Sequence, residues 1–393
     1  MRQENLRHVL SIINRRSSSR VELASETRLS QAAITDIVSE LLDVGIIIEA
    51  GKKNGSTTMG RKQISLDVNP FWGYIIGINI EREVIEAGIL SIDGNIVGKV
   101  AVLEFIQTPD DALDRIKTEV QNLIKINKID PDAIIGLGAI VPGPFNAADG
   151  IILEPPFFES WHNYKLKYEL ERRFPYTVFV QHNASALTLL ESFASKNFRF
   201  NTFALYTINI GIGFGLMLNG QVYAGTGNMN SEIGHTSVDI NGRLCGCGRQ
   251  GCLDMYASVR AVLHEAGRVK ENVKSWRNFI DLVSEGDTFC NEILDLQARC
   301  LAHSILNLNN IIELNAVIIT GLVVYRGELL LQRIKEHMHG KFLLGNQAEL
   351  VIKKSDITEN MGITAAAMLL IAQIFNDGLF AKVISQRKSE KLL

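Results

Sequence analysis

The sequence contains no uninterrupted run of about 18 uncharged apolar residues, the length that a membrane-spanning helix requires. Its first ten residues, MRQENLRHVL, mix charged with apolar side chains, so the continuous apolar core of a secretory signal is also missing. Among the 393 residues, 46% are hydrophobic and 21% are charged, which excludes a largely disordered chain. These features predict a cytoplasmic protein without a membrane partner.

Cysteine is scarce, with five in the chain, but Cys245, Cys247 and Cys252 fall within eight residues. In a cytoplasmic protein such a cluster favours metal binding over disulfides. Three soft thiolates need one more ligand to complete a tetrahedral structural site, and His235 is the nearest candidate along the chain. We therefore predict one structural Zn²⁺ per chain on His235, Cys245, Cys247 and Cys252. The alternative is a loop of free thiols.

The net charge of −3 is unevenly distributed. Residues 1–70 contain ten Lys or Arg and eight Asp or Glu, a balance of +2, which leaves −5 for the remainder. The stretch from Gly51 to Ser65 has four basic residues and no acidic one. This distribution suits an anionic partner for the N-terminal segment alone.

The first 70 residues have the pattern of a winged helix-turn-helix domain. Apolar residues at i, i+3, i+4 and i+7 predict a first helix over residues 3–14, and the Ser19–Glu22 capping box opens a short second one. Ser30 caps a third helix, which Gly45 ends. Two strands follow, and the segment between them, GKKNGSTTMGRK, is glycine-rich and basic, as in a wing.

Short side chains on the N-terminal half of the third helix suit a recognition helix, which must approach base edges in the major groove without bulk. We predict contacts with double-stranded operator DNA from Ser30, Gln31, Ala32, Thr35, Arg61 and Lys62. The alternative is a small helical subdomain whose third helix only packs.

Beyond residue 70 a pattern of antiparallel strands, helix and strand occurs twice, beginning near Tyr74 and again near Thr202. The repeat predicts an α/β body of two similar lobes with a cleft between them. We expect domains at 1–70, 71–182 and 183–393, with the last helix able to pack back on the first lobe.

Within the second repeat, Gly211, Gly213 and Gly215 lie between two strands. They either bring backbone N–H groups close to a phosphate or sugar, or form a tight hairpin without a ligand. Helices are expected over about residues 254–267, 275–284 and 288–313.

Several motifs together resemble the ROK family. They are E-I-G-H at 232–235, C-G-C-G-R-Q-G-C at 245–252, V-P-G-P at 141–144, and G-R-K at 60–62 after the winged segment. The resemblance covers essentially the whole chain and is strongest to the repressor branch, of NagC, Mlc and xylose-repressor type. It implies a sugar-kinase-like body of the actin/hexokinase type with two RNase H-like lobes, a structural zinc, and self-association as a homodimer or homotetramer.

The resemblance also indicates how this chain departs from the family's kinases. Their E-N-D-A-N-A segment carries the aspartate that takes the proton from the sugar hydroxyl, and the matching segment Q-H-N-A-S-A places Asn183 there. An amide has no useful basicity. The D-x-G-x-T-K phosphate loop is replaced by N-I-E-R-E at 79–83, in which Glu81 would repel a phosphate. We therefore expect no enzymatic activity.

The sugar pocket is better preserved. By resemblance, a sugar would be bound by His182, Asn183, Glu232, His235 and Asp254, the last in place of a more usual glutamate. Such groups suit a neutral ligand with many hydroxyls, although a relic pocket without a ligand is the alternative. The sequence thus predicts a sugar-responsive DNA-binding repressor of carbohydrate-utilisation genes. The competing interpretation is an ATP-dependent sugar kinase with a regulatory DNA-binding head.

Overall fold

The computed structural model describes residues 2–52, 64–82, 84–102, 108–156, 158–194, 200–225, 231–343 and 350–376. The chain divides into two compact units, Met1–Gln181 with Gly362–Leu393, and His182–Met361. In the part that is described, no helix combines the length and apolar character needed to span a bilayer.

The first unit begins with a head of three helices and a small antiparallel sheet. Its elements are α1 (Arg2–Arg15), β1 (Ser18–Ser19), α2 (Arg20–Thr27), α3 (Gln31–Val44), β2 (Ile47–Lys52) and β3 (Ile64–Val68). The strand order is β1-β3-β2. Leu10, Leu23, Ile34 and Leu41 are fully buried in its core. Arg61 and Lys62 lie outside the described residues.

Local capping signals explain the helix boundaries in the head. The Ser19 side chain accepts a hydrogen bond from the Glu22 amide, and the Glu22 carboxylate accepts one from the Ser19 amide, so the predicted capping box is confirmed. Ser30 accepts from the Ala33 amide at the start of α3. Gly45 ends α3 with a φ of 79°, a conformation that favours glycine.

A five-stranded mixed sheet follows, in the order β10-β7-β4-β5-β6. Antiparallel pairing joins β4, β5 and β6, whereas β4 and β7 are parallel. The elements from here to the end of this unit's first segment are β4 (Tyr74–Ile80), β5 (Ile85–Ser91), β6 (Ile96–Val102), α4 (Pro109–Ile126), β7 (Ile134–Val141), β8 (Phe145–Asn146), β9 (Ile151–Ile152), α5 (Leu166–Arg173) and β10 (Thr177–His182).

The second unit contains another mixed sheet, ordered β13-β12-β11-β14-β15, in which β11, β12 and β13 are antiparallel and β11, β14 and β15 are parallel. Its elements are α6 (Asn183–Ala194), β11 (Phe203–Ile208), β12 (Ile212–Leu218), β13 (Gln221–Val222), α7 (Asp254–Ala257), α8 (Val259–Gly267), α9 (Trp276–Ser284), α10 (Thr288–Ile311), β14 (Ala316–Gly321), α11 (Glu328–Met338) and β15 (Val351–Lys354). Two mixed sheets covered by helices confirm the predicted α/β class.

The helix expected over residues 254–267 is wrong in one respect, because it is broken at Ser258. The Ser258 side chain accepts from the Ala261 amide and so caps a new helix, α8. It also donates to the Asp254 carbonyl at 2.7 Å. One serine therefore ends α7 and begins α8.

The last helix of the described residues, α12 (Met361–Asn376), packs directly on the sheet of the first unit. Gly77 of β4 and Gly138 of β7 are register partners. A Cβ at Gly138 would lie 1.9 Å from the Ala366 carbonyl oxygen, and one at Gly77 would lie 2.2 Å from that of Ile363. These glycines let the backbone of α12 approach the strands more closely than any side chain would allow.

Candidate functional site

His235 and the three clustered cysteines come together in one loop of the second unit, before α7. Cys245 and Cys252 are buried, Cys247 is exposed and His235 is half-buried. The His235 Nδ1 lies 3.6 Å from the Cys245 Sγ, and the Sγ atoms of Cys247 and Cys252 are 3.6 Å apart. All four donor atoms lie within 4.8 Å of one another.

The two 3.6 Å separations match the edges of a tetrahedral site, which are about 3.6–3.8 Å when Zn–S is about 2.3 Å and Zn–N about 2.0 Å. A hydrogen bond from the Arg249 backbone lowers the pKa of the Cys247 thiol, whereas burial raises the pKa of Cys252 to about 12. A buried thiol of that kind ionises at neutral pH only beside a cation. The donor set can therefore hold a metal ion such as zinc.

The backbone of the loop holds the cysteines in position. The Cys245 amide donates to the Arg249 carbonyl at 2.8 Å, and the Gly248 amide donates to the Cys245 carbonyl at 2.9 Å. Gly251 has a φ of 71°, and a Cβ there would lie 1.6 Å from the Asp239 carbonyl oxygen. Only glycine fits at this position, so this loop conformation requires Gly251.

Arg243 attaches this loop to the neighbouring helices. Its guanidinium donates to the Met255 carbonyl at 3.1 Å and to the Glu265 carboxylate at 3.0 Å, and it lies 4.9 Å from the centre of the Tyr256 ring. The spacing of these residues along the chain did not indicate this role. These contacts connect the loop to α7 and α8.

Glu232 and Asp254, both predicted to bind sugar, differ in their surroundings. Glu232 is exposed at its surface. Desolvation by the surrounding protein, together with repulsion from the Asp254 carboxylate, raises its pKa to about 7. Asp254 is only 8% exposed. Its two oxygens accept from the Ile212 amide at 2.9 Å and from Arg260 at 3.1 Å. Asp254 thus ties α7 and α8 to the turn before β12.

His182 and Asn183 stand where β10 meets α6. His182 is 5% exposed, and burial lowers its pKa to about 4, so its ring is neutral at physiological pH. Asn183 is the first residue of α6, and its Oδ1 accepts from the Ala184 amide at 2.7 Å. The ring of His182 has little surface to offer a ligand, whereas the carboxamide of Asn183 is partly accessible.

Among the glycines of the second repeat, Gly215 serves the packing of α6 on β12. A Cβ at Gly215 would lie 1.9 Å from the Thr188 Oγ1 and 2.7 Å from the Ala184 carbonyl oxygen, so α6 rests directly on β12. Gly213 is the register partner of Thr207 within the sheet. Of the two possibilities for these glycines, the close helix-on-strand contact accounts for Gly215 without a ligand.

In the head, α3 exposes the predicted recognition residues. Gln31, Ala32 and Thr35 are exposed on its N-terminal half, directly after the cap Ser30. The Thr35 hydroxyl donates to the Gln31 carbonyl at 2.8 Å. That bond uses the hydroxyl proton, so the Thr35 oxygen as an acceptor and the Thr35 methyl group are left for an outside contact.

Comparison with known proteins identifies the class. The model of the ROK family matches residues 75–373, and the chain belongs to that family. The xylose repressor of Caldicellulosiruptor bescii is 26% identical over 384 residues, covering 93% of this chain and 94% of that protein. The glucokinase of Thermotoga maritima is 25% identical, and the match covers 76% of this chain and 98% of the kinase.

A solved structure shares the whole fold. The crystal structure of a ROK family transcriptional regulator, a homologue of the E. coli Mlc protein, matches with a TM-score of 0.81 and 23% identity, over 98% of this chain and 99% of that one. This likeness confirms the predicted fold, including the N-terminal helical region. The repressor homology extends over most of the chain, and the kinase homology over about three quarters of it.

Proposed function

We propose that this protein is a sugar-responsive transcriptional repressor that binds operator DNA through its head. The observation that carries the proposal is a capped helix, α3, whose exposed N-terminal half bears Gln31, Ala32 and Thr35 in a three-helix head with a basic segment. The match to a xylose repressor across 93% of the chain supports it. Selection of duplexes from a random library, with and without candidate sugars, tests it.

In this proposal Gln31 pairs with an adenine, and Ala32 and the Thr35 methyl contact thymine methyl groups. Ser30, Arg61 and Lys62 contact the backbone or an adjacent minor groove. Symmetric half-sites would require self-association, as a homodimer or homotetramer, because each head reads one half-site.

Replacing Gln31 with alanine is expected to weaken operator binding by about 1–3 kcal/mol and to relax base preference at one position. Replacing Arg61 with alanine should weaken binding to all sequences and flatten the salt dependence. Titrations of a selected duplex at two salt concentrations measure both effects. The matched controls are Gln121→Ala and Arg115→Ala on α4, both in exposed positions. Unchanged affinity and salt dependence in both head variants would exclude this interface.

The effector in this proposal is a neutral sugar bound in the second unit by Glu232, His235 and Asn183. In this proposal the His235 Nδ1, 3.6 Å from the Cys245 Sγ, binds the metal ion, and the Nε2 of the same ring bonds a sugar hydroxyl. Since Asp254 is only 8% exposed and bonds to Ile212 and Arg260, we assign it to positioning the site. We assign His182 to positioning the site as well, because its side chain is buried.

Effector affinity should rise with pH through about 7. The ionised Glu232 carboxylate accepts hydrogen bonds from vicinal hydroxyls, so binding favours the ionised form and lowers the raised pKa of about 7. If only that form binds, affinity at about pH 6 should be about tenfold lower than at about pH 8. Calorimetry with the sugar that most raises the melting temperature, chosen from pentoses, hexoses and N-acetylated sugars, measures this.

The Glu232→Gln variant is the control for the pH effect, since its side chain does not titrate. Its sugar affinity should be independent of pH in this range. Equal pH dependence in the variant and the wild type would show that another group is responsible.

The cysteine loop in this proposal holds one structural Zn²⁺ per chain, which would add to the bonds already made by its backbone and by Arg243. With four protein ligands the coordination sphere is closed, so the ion would stabilise the fold and orient His235.

The competing function, a sugar kinase, is favoured by the match to a glucokinase. Against it, Asn183 occupies the position that the family resemblance assigns to the general base. After β4, the Glu81 amide donates to the Val84 carbonyl at 3.0 Å, and Arg82 donates to the Pro156 carbonyl at 2.9 Å. In this proposal Glu81, at the position that the resemblance assigns to the phosphate loop, would repel a phosphate.

A further inference from the structure

The end of α3 is bonded to the segment that enters the first sheet. A helix leaves its last carbonyl groups without partners inside the helix. Here the Val44 carbonyl accepts from the Trp72 Nε1 at 3.1 Å, and the Gly45 carbonyl accepts from the Asn69 Nδ2 at 2.8 Å. Both donors are side chains of the short segment between β3 and β4.

That segment is itself rigid. The Asn69 amide donates to the Ile46 carbonyl at 2.8 Å, and its side-chain oxygen accepts from the Phe71 amide at 3.1 Å. The Trp72 amide donates to the Asn69 carbonyl at 3.1 Å, and the indole is only 5% exposed. A buried indole with its N–H bonded has one available orientation.

The other end of the segment is fixed to the sheet. Gly73, directly after Trp72, accepts from the Ile92 amide at 3.2 Å, just past the end of β5. A Cβ at Gly73 would lie 2.4 Å from the Ile135 side chain in β7, so this residue packs tightly on the sheet. Only one residue therefore separates the indole bonded to α3 from the first strand of the sheet.

We infer that Asn69 and Trp72 are positioning residues for DNA recognition, because they fix the orientation of α3 relative to the sheet of the first unit. This inference rests on the proposed function. A head held rigidly on its body presents the second head of an assembled protein at a high effective concentration to the second half-site. Loosening the two bonds should weaken binding to paired half-sites more than binding to one.

The test uses the full chain as Trp72→Phe and as Asn69→Asp, each of which removes one of the donors. The matched control is Trp276→Phe, since Trp276 is equally buried and donates its Nε1 to the Tyr325 carbonyl at 3.1 Å in the second unit. Each variant is bound to duplexes with one or two half-sites, obtained by selection from a random library with wild-type protein. Hydrogen exchange of peptides over residues 40–48 and 69–76 is measured without DNA.

We expect both head variants to bind paired half-sites about tenfold more weakly, with affinity for one half-site unchanged within about twofold. Amide exchange at residues 40–48 should rise about fivefold, the effect of one lost hydrogen bond. Trp276→Phe should match the wild type in its affinity for paired half-sites, its affinity for one half-site and its amide exchange at residues 40–48. Equal losses on single and paired sites, or exchange unchanged from the control, would overturn the inference. If the wild type selects no DNA, the proposed function fails, while the exchange result still decides whether the two bonds fix α3.

Discussion

Wild-type protein supplied with Mg-ATP should release no ADP above background with any hexose, pentose or N-acetylated sugar. The chemical reason is at Asn183, whose carboxamide cannot accept the proton of a sugar hydroxyl. Loss of a general base lowers a rate by about 10²–10⁴. From a typical turnover of about 10 s⁻¹, that alone predicts less than about 0.1 s⁻¹.

Restoring a carboxylate at position 183 tests whether loss of the general base alone, or also loss of the phosphate loop, explains the missing kinase activity. The Asn183→Asp variant should remain inactive, because Glu81, at the position that the resemblance assigns to the phosphate loop, would still repel a phosphate. The glucokinase of Thermotoga maritima in the same coupled assay serves as the positive control. Turnover near 1 s⁻¹ by the wild type would reassign the protein to the kinases.

The second large effect is expected from loss of the metal. Purified protein should contain about one equivalent of zinc, as closed four-ligand sites do. Cys252→Ser should abolish that content and lower the melting temperature of the second unit by about 10 °C or more, because structural zinc contributes about 10–16 kcal/mol in small zinc domains.

Cys290→Ser is the matched control, since Cys290 is as fully buried as Cys252 but lies in α10, outside the cluster. It should keep its zinc and show only the smaller loss of stability that a buried polar substitution causes. Elemental analysis and calorimetry of both variants measure the outcome. A metal-free wild-type preparation with an unchanged melting curve would contradict the zinc assignment.

The parts of the account that could be predicted from the sequence depend on short-range chemistry. A capping box needs only two residues three positions apart, so the start of α2 at Ser19 and Glu22 was predictable. The metal cluster is also local, because Cys245, Cys247 and Cys252 share one loop and His235 lies just before it.

The parts that could not be predicted depend on contacts between distant segments. The Asp254 carboxylate bonds to Ile212 and Arg260, and no spacing in the sequence reveals those contacts. The closure of α3 by Trp72 likewise joins residues 28 positions apart. The helix expected over residues 254–267 is divided at Ser258, because the Ser258 hydroxyl forms hydrogen bonds with the backbone and caps a new helix. The pattern of apolar residues does not predict such a break.

Equilibrium binding of the full chain to DNA tests the central claim most directly. Duplexes selected from a random library should contain repeated half-sites about 10–10.5 base pairs apart, or a multiple of that. At physiological salt they should bind with a Kd of about 10⁻⁸–10⁻¹¹ M, at least about a thousandfold tighter than scrambled duplexes of equal length. Enrichment of no sequence, or equal affinity for selected and scrambled duplexes, would contradict a DNA-binding repressor.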